Sequence, residues 1–272
     1  MSHIPAERCL SIIELLADDA REMALGEIAE RLGLPKSGAH RLLATLVDLG
    51  WAEQNSNTSF YRLTMRLTTL GQRFFVATGI PDVCQPVLDR LALQCREFAR
   101  LAVVDGDSLT WLAHAQGATV GLLYQPSLST NTVPINVTAS GKIWLTTLPI
   151  EKAIETARRI GFDTAGRYGP NAIRSVDALK RELGATAKRG YGLAVNEAEP
   201  GVTAIAAAIR PVGGGPTLGT VSIAGPSIRL TETRVRELAP VVIKTASALA
   251  ALWPLRSRAA LVRPTKDAVQ AA

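Results

Sequence analysis

"LGLPKSGAHRLLATLVDLGW", Leu32 to Trp51, sets a proline, a lysine, a serine and a glycine at the mouth of an apolar helical pattern. Pro35 suits a helix start, because the N–H that proline lacks has no partner in a first turn anyway. Ala39, Leu42, Leu43, Leu46, Val47 and Leu49 then form one apolar face, and Gly50 stops it. Just upstream, "LGEIAERL" places Leu25, Ile28, Ala29 and Leu32 at helical spacing, and Gly33 closes that segment. Before it, "RCLSIIELL" from Arg8 to Leu16 is another amphipathic helix.

Helix, short glycine-bearing turn, helix is the pattern of a helix-turn-helix, whose second helix presents its N-terminal residues to base edges in the major groove. Lys36, Ser37, His40, Arg41 and Thr45 lie off the apolar face and are candidate DNA-reading residues, with Gly38 among them. Gly38 costs the helix about 1 kcal/mol against alanine. In return it lets the helix start approach a phosphate, which the free N–H groups and the helix dipole also favour. A plain solvated helix face is the competing reading. The next residues weigh against it, since "GWAEQNSNTSFYRL" reads as strand, polar turn and strand. Such a hairpin after a recognition helix is a wing, and Arg62 on its return strand is a candidate phosphate or minor-groove contact. "LTMRLTTLGQRFFVATG" is then helical, with Leu63, Leu67, Leu70 and Phe74 on one stripe. It predicts a linker helix that packs against its twin in a dimer.

Charge supports this reading only locally. The 272-residue chain has a formal net charge of +6. Within residues 1–80, however, eight basic residues face nine acidic ones. From Arg31 to Arg73 there are six basic residues against Asp48 and Glu53 alone, so the polarity falls on the second helix and wing. Cys9, Cys84 and Cys95 are isolated, and the three histidines, His3, His40 and His114, form no ligand cluster, so no metal and no cofactor are expected. Neither a signal peptide nor an apolar run of membrane length is present, which predicts a cytoplasmic protein without a membrane partner.

"GIPDV" at Gly79–Val83 marks a boundary. A helix is expected from about Asp82 to Phe98. Next come the strands "ARLAVVDG", "LTWLAHAQG" and "VGLLYQ" as an antiparallel meander, and a small-residue helix start in "TASGKIWLTTL". A helix capped by Ser175 follows, then the strands "YGLAVN", "AIAAAIR" and "TLGTVSIAG". Gly213-Gly214-Gly215 marks a hairpin end, and a last helix runs from Thr231 to about Trp253. The expected organisation is a winged helix-turn-helix over residues 1–63, a linker helix over 64–79, an α+β domain over 80–254 and a basic, disordered tail over 255–272.

No catalytic constellation is present: no paired carboxylates, no Ser-His-Asp set, no P-loop and no dinucleotide fingerprint. His114 in a strand reads as packing, and Glu197 and Glu199 read as solvated. Thr138-Ala139-Ser140-Gly141-Lys142 is the feature with chemical meaning. A helix starting on small residues exposes N–H groups to an anion, and Ser222 on a strand could face it. Close helix–sheet packing explains the same small residues equally well.

Taken in order, "LGEIAERLGLPKSGAHRLLATLVDLGW", "YRLTMRLTTLG", "TASGKIWLTTLP", "RGYGLAVNEAEPGVTAIAAAIR" and "GTVSIAGPSIRLT" resemble the isocitrate lyase regulator (IclR) family of bacterial transcription factors, from about Arg8 to Leu252. The resemblance implies a winged helix-turn-helix, a linker helix and a GAF-like effector domain, an antiparallel sheet flanked by helices. It also implies homodimers that often pair into homotetramers, double-stranded operator DNA as partner, and control by a small organic acid, aliphatic or aromatic, with repression the commoner mode. Matching the motifs places Ala139, Ser140, Gly141, Ala194, Asn196, Ala204, Ser222 and Ala224 in the effector pocket. Some relatives carry an acidic residue at the position of Ala194 and a cysteine at that of Ala204. Their absence makes this pocket more apolar and points to a bulkier, more aromatic acid, with Trp111 and Tyr124 as candidate stacking partners. Gly38 departs from the bulkier residue usual at its position. An enzyme acting on a small organic acid, with an accessory helix-turn-helix, is the alternative; a constitutive DNA binder with a vestigial pocket is a third reading.

Overall fold

The computed structural model describes residues 4–19, 21–126, 131–162 and 166–253. The basic tail expected beyond Pro254 lies outside the described residues. The chain forms two compact units, Met1–Ala77 and Thr78–Ala272.

In the first unit, α1 (Ile4–Asp19), α2 (Leu25–Arg31) and α3 (Lys36–Asp48) close on one core of Ile12, Leu16, Met23, Ile28, Leu43 and Leu46. Pro35 is the N-cap of α3, and Gly33, at φ +61°, supplies the turn between α2 and α3. The expected apolar face of α3 is inside at Ala39, Leu43 and Leu46, whereas Leu49 is the C-cap and is 54% exposed. The hairpin β1 (Ala52–Gln54) and β2 (Tyr61–Leu63) pairs antiparallel, and Met23 bridges to Tyr61, tying the wing to the helices. The helix α4 (Arg66–Ala77) follows, so Leu63 belongs to the wing rather than to the linker stripe. Arg66 fastens its start by donating to the Leu49 carbonyl at 2.5 Å and lying over the Trp51 ring.

The second unit is α+β. Its five-stranded antiparallel sheet runs β4-β3-β7-β6-β5, from β3 (Phe98–Asp105), β4 (Ser108–Gln116), β5 (Gly192–Val195), β6 (Val202–Ile209) and β7 (Gly219–Pro226). Helices α5 (Ile80–Cys95) and α9 (Glu232–Leu252) pack with the sheet and each other, and α6 (Ala139–Leu145), α7 (Ile150–Ile160) and α8 (Val176–Arg189) complete the unit. The Ser175 and Thr231 side chains cap α8 and α9 as their positions imply.

Three expectations need correction. Helix α5 ends at Cys95, because Arg96 turns left-handed at φ +57°, and Phe98 already begins β3. "VGLLYQ" is not a strand. Gly121 sits at φ +79°, Leu122 and Leu123 are exposed, and the place beside β4 goes to residues 131–133, where Trp111 N–H donates to Asn131 and Val133 N–H to Leu109. Helix α7, for which no element was expected, buries Ala153, Ile154 and Ala157.

Candidate functional site

The first candidate surface is the N-terminal half of α3. Lys36, Ser37, His40, Arg41 and Thr45 are all exposed, on the side away from Ala39, Leu43 and Leu46. The Thr45 hydroxyl donates back to the Arg41 carbonyl at 3.0 Å. Gly38 has no left-handed φ, and a methyl group there would lie 3.9 Å from the Pro35 ring. The fold therefore does not require glycine at this position. Arg62 is differently placed: within the wing it is paired with Glu53 at 2.5 Å and with Glu22 at 3.6 Å.

The second candidate is a cavity of about 300 Å³ in the second unit, between the sheet and the start of α6. That volume is at the lower end of small-molecule sites. Sheet register explains the wall. Ala194 pairs with Ala204, Ala204 with Ala224, and Ser222 with Arg100, so small side chains and one long cation share a face. A bulge between Leu101 and Ala102 shifts the partner strand and sets Trp111, not Leu112, opposite Ala102. Bulges re-aim side chains in this way, and Trp111 joins the lining.

Of the residues matched from the motifs, Ala139, Ser140, Ala194, Ala204, Ser222 and Ala224 line this cavity together with Trp111. Gly141 and Asn196 do not. A Cβ on Gly141 would sit 2.2 Å from the Ile135 backbone, so this glycine permits close packing of α6. Asn196, left-handed at φ +53°, shapes its own loop by accepting from the Gly201 N–H at 2.6 Å. The exposed N–H groups expected at the α6 start are also fewer, since Thr138 Oγ1 accepts from the Gly141 N–H at 3.0 Å.

Sequence reasoning missed the two cations of the wall, Arg100 and Arg167. Arg100, half-buried on β3, places its guanidinium carbon 4.4 Å from the centre of the Trp111 ring. No carboxylate lies within ion-pair distance of it among the described residues. Burial pulls its pKa below the usual guanidinium value, while Tyr124 and Glu199 oppose that shift; an arginine stays charged through such a change. Tyr124, in the same wall, donates to Glu199 at 2.8 Å. Burial first, and then the Glu199 charge and hydrogen bond, push the phenol pKa up, so it remains protonated. The Ser140 hydroxyl is buried without a hydrogen-bond partner. The one cation in the largely apolar strand "FARLAVVD" was the available signal for Arg100.

Behind the cavity, Lys142 is 1% exposed and bridges Glu197 at 2.7 Å and Glu182 at 3.2 Å. Arg189 also holds Glu182, at 3.0 Å. The loop that carries Glu197 continues into Ala198 and Glu199 of the cavity wall, so this ion network fixes one side of the pocket. His114 is exposed and stacks on Phe98, outside the lining. Among the described residues no group of three or more His, Cys, Asp or Glu could hold a metal, and no helix is long and apolar enough to cross a membrane.

Comparison with known proteins agrees on both units. Residues 5–56 match the IclR helix-turn-helix domain, and residues 72–251 match the bacterial transcriptional regulator IclR C-terminal domain. The chain is 28% identical over 239 residues to the transcriptional repressor IclR of Escherichia coli, covering 88% of this chain and 86% of that protein. In fold it resembles the IclR transcriptional regulator of Alicyclobacillus acidocaldarius, with TM-score 0.75 and 21% identity over 93% of this chain and 99% of that one. It likewise resembles an IclR homolog of Microbacterium hydrocarbonoxydans solved with 4-hydroxybenzoate, with TM-score 0.69, 24% identity and the same coverage of both chains. The chain belongs to the IclR family of bacterial transcriptional regulators, a helix-turn-helix DNA-binding domain followed by the family's effector-binding domain.

Proposed function

We propose that this protein represses transcription by binding operator DNA through α3, and that a small organic acid in the cavity of the second unit sets its affinity for that DNA. The observation that carries the reading is a cavity lined by small and aromatic side chains in which the buried Ser140 hydroxyl has no partner. A buried polar group without a partner is costly, and a ligand oxygen would satisfy it. The 4-hydroxybenzoate held by the Microbacterium homolog supports an acid of single-ring size. Lys36, Ser37, Gly38, His40, Arg41 and Thr45 are the proposed DNA contacts, and Arg62 joins them only by giving up Glu53. The helix α4 has no buried residue, and Leu70, Phe74 and Val76 are exposed on it, which favours a dimer through this helix. Such a dimer spaces two recognition helices for two half-sites, and an effector that binds one quaternary arrangement better than another changes operator affinity. The protein works where the bacterial chromosome is, in the cytoplasm. The enzyme reading has no support in the relatives, which are regulators.

Arg41→Ala tests the DNA surface. If Arg41 reads a base, specific affinity falls by about 1–3 kcal/mol with little change on scrambled DNA. An equal loss on every sequence, with a flatter salt dependence, would make Arg41 a phosphate contact only.

A further inference from the structure

We propose that Arg100 is the residue that selects an acid in this pocket, holding the ligand's carboxylate from the sheet side. The inference rests on the effector reading of the cavity and goes beyond it by assigning the charge that discriminates among ligands. Four observations carry it. Arg100 lines the cavity, and no carboxylate among the described residues pairs with it. Its neighbour across the β3–β7 ladder is Ser222, so a hydroxyl and a guanidinium stand side by side on the cavity wall. Trp111 backs the guanidinium at 4.4 Å, which restrains the planar fork. Ser140 adds a buried, unpartnered hydroxyl to the same cavity.

The alternative anchor, the start of α6, is weaker. That helix has seven residues, and Thr138 has taken the Gly141 N–H. Glu199 also lines the cavity and would favour a cationic ligand, but it already accepts the Tyr124 hydroxyl. The wall also carries Arg167, whose guanidinium lies 6.0 Å from the centre of the Tyr168 ring, whereas Arg100 is the cation set on the sheet beside Ser222. Arginine meets a carboxylate with two parallel hydrogen bonds, stronger than neutral ones. Among the other lining residues, Ala194, Ala204, Ala224, Val202 and Pro134 offer apolar contact to the body of the ligand.

The test is calorimetric titration of the full-length protein with benzoate, benzamide and benzylamine, which share a ring and differ in charge. Wild type is expected to bind benzoate at least about tenfold more tightly than benzamide, a difference of about 1.4 kcal/mol, and benzylamine most weakly. Arg100→Gln should bring the benzoate-to-benzamide ratio below about twofold, whereas Arg100→Lys, which keeps the charge, should retain several-fold. Thermal unfolding of both variants confirms folding, and the Lys variant decides the matter should the Gln variant not fold: a benzoate-to-benzamide ratio of about one there would overturn the proposal. Persistence of the acid preference in Arg100→Gln would overturn the assignment of Arg100 and leave the pocket reading intact. Stronger binding of benzylamine than of benzoate would overturn it in favour of Glu199. If none of the three binds wild type, the effector reading of the cavity falls and this inference with it.

Discussion

Replacing Lys142 with methionine removes a buried cation without changing the shape of its side chain much. The ammonium is 1% exposed and serves two carboxylates. Glu197 is the more dependent, since its Oε1 accepts from Lys142 at 2.7 Å and from the Val195 N–H at 3.3 Å, while its Oε2 has no partner. Glu182 is about a quarter exposed and keeps Arg189. Breaking a buried pair costs about 3–5 kcal/mol; the surviving Arg189 contact favours the lower figure, about 3 kcal/mol. For a unit of this size that lowers Tm by about 6–12 °C, at about 2–4 °C per kcal/mol.

The loss should depend on pH. In the wild type, burial pushes the Glu197 carboxyl up against the pull of Lys142. For Glu182, burial also raises the pKa, but Lys142 and Arg189 override it and hold the carboxyl below the usual range. Without Lys142 both carboxyls rise. Between the unfolded carboxyl pKa and the raised folded one, the folded variant binds more protons than the unfolded chain, so its stability falls as pH rises. The deficit against wild type is therefore largest near neutrality and shrinks toward pH 4–5. Adding Glu197→Gln should recover much of it at neutral pH, because an amide needs no countercharge. Scanning calorimetry of wild type, Lys142→Met and Lys142→Met/Glu197→Gln at both pH values is the assay. A single variant within about 1 kcal/mol of wild type, or a deficit unchanged by pH, would refute the view that the Lys142 charge secures this side of the pocket.

Gly38→Ala should stabilise the first unit by about 1 kcal/mol, because the added methyl meets only ordinary contact with Pro35. It should also weaken specific DNA binding if the glycine serves close approach, so thermal unfolding and an operator titration should move in opposite directions. Gly141→Ala and Gly184→Ala form a second contrast. The first drives a Cβ to 2.2 Å from the Ile135 backbone and should cost about 1–3 kcal/mol or more. The second meets nothing within 4 Å in the middle of α8 and should gain about 1 kcal/mol. Urea unfolding of both variants distinguishes them. Burial raises the Cys84 and Cys95 thiols to about 11, so near pH 8 they should resist alkylation in the folded protein and react on unfolding, read by mass spectrometry.

The helix-turn-helix was legible because each segment states its own limits: Leu25, Ile28 and Ala29 at helical spacing, Gly33 in the turn, Pro35 at the next cap. The sheet was legible where apolar strands end at glycines, and misread where an apolar run, "VGLLYQ", carries a glycine that turns it out of the sheet. Local periodicity does not say which strand neighbours which. The pocket depends on that information. Arg100 meets Ser222 only through the β3–β7 register, and Trp111 enters the wall only because of a bulge. The motif match found the small side chains that make room, but it also included Gly141 and Asn196, whose roles lie in the backbone.

The central claim is that the cavity governs DNA binding, and one titration tests it directly. Fluorescence anisotropy of labelled DNA from upstream of the protein's own gene, with scrambled DNA as control, would be measured with and without aromatic and aliphatic acids, for wild type and for Ser140→Trp. Wild type should prefer its own upstream DNA, and at least one acid should change that affinity several-fold. In Ser140→Trp, where an indole fills the cavity, the ratio of affinities with and without the acid should fall to one. An equal response in the two proteins would mean that the acid acts elsewhere and would contradict the account.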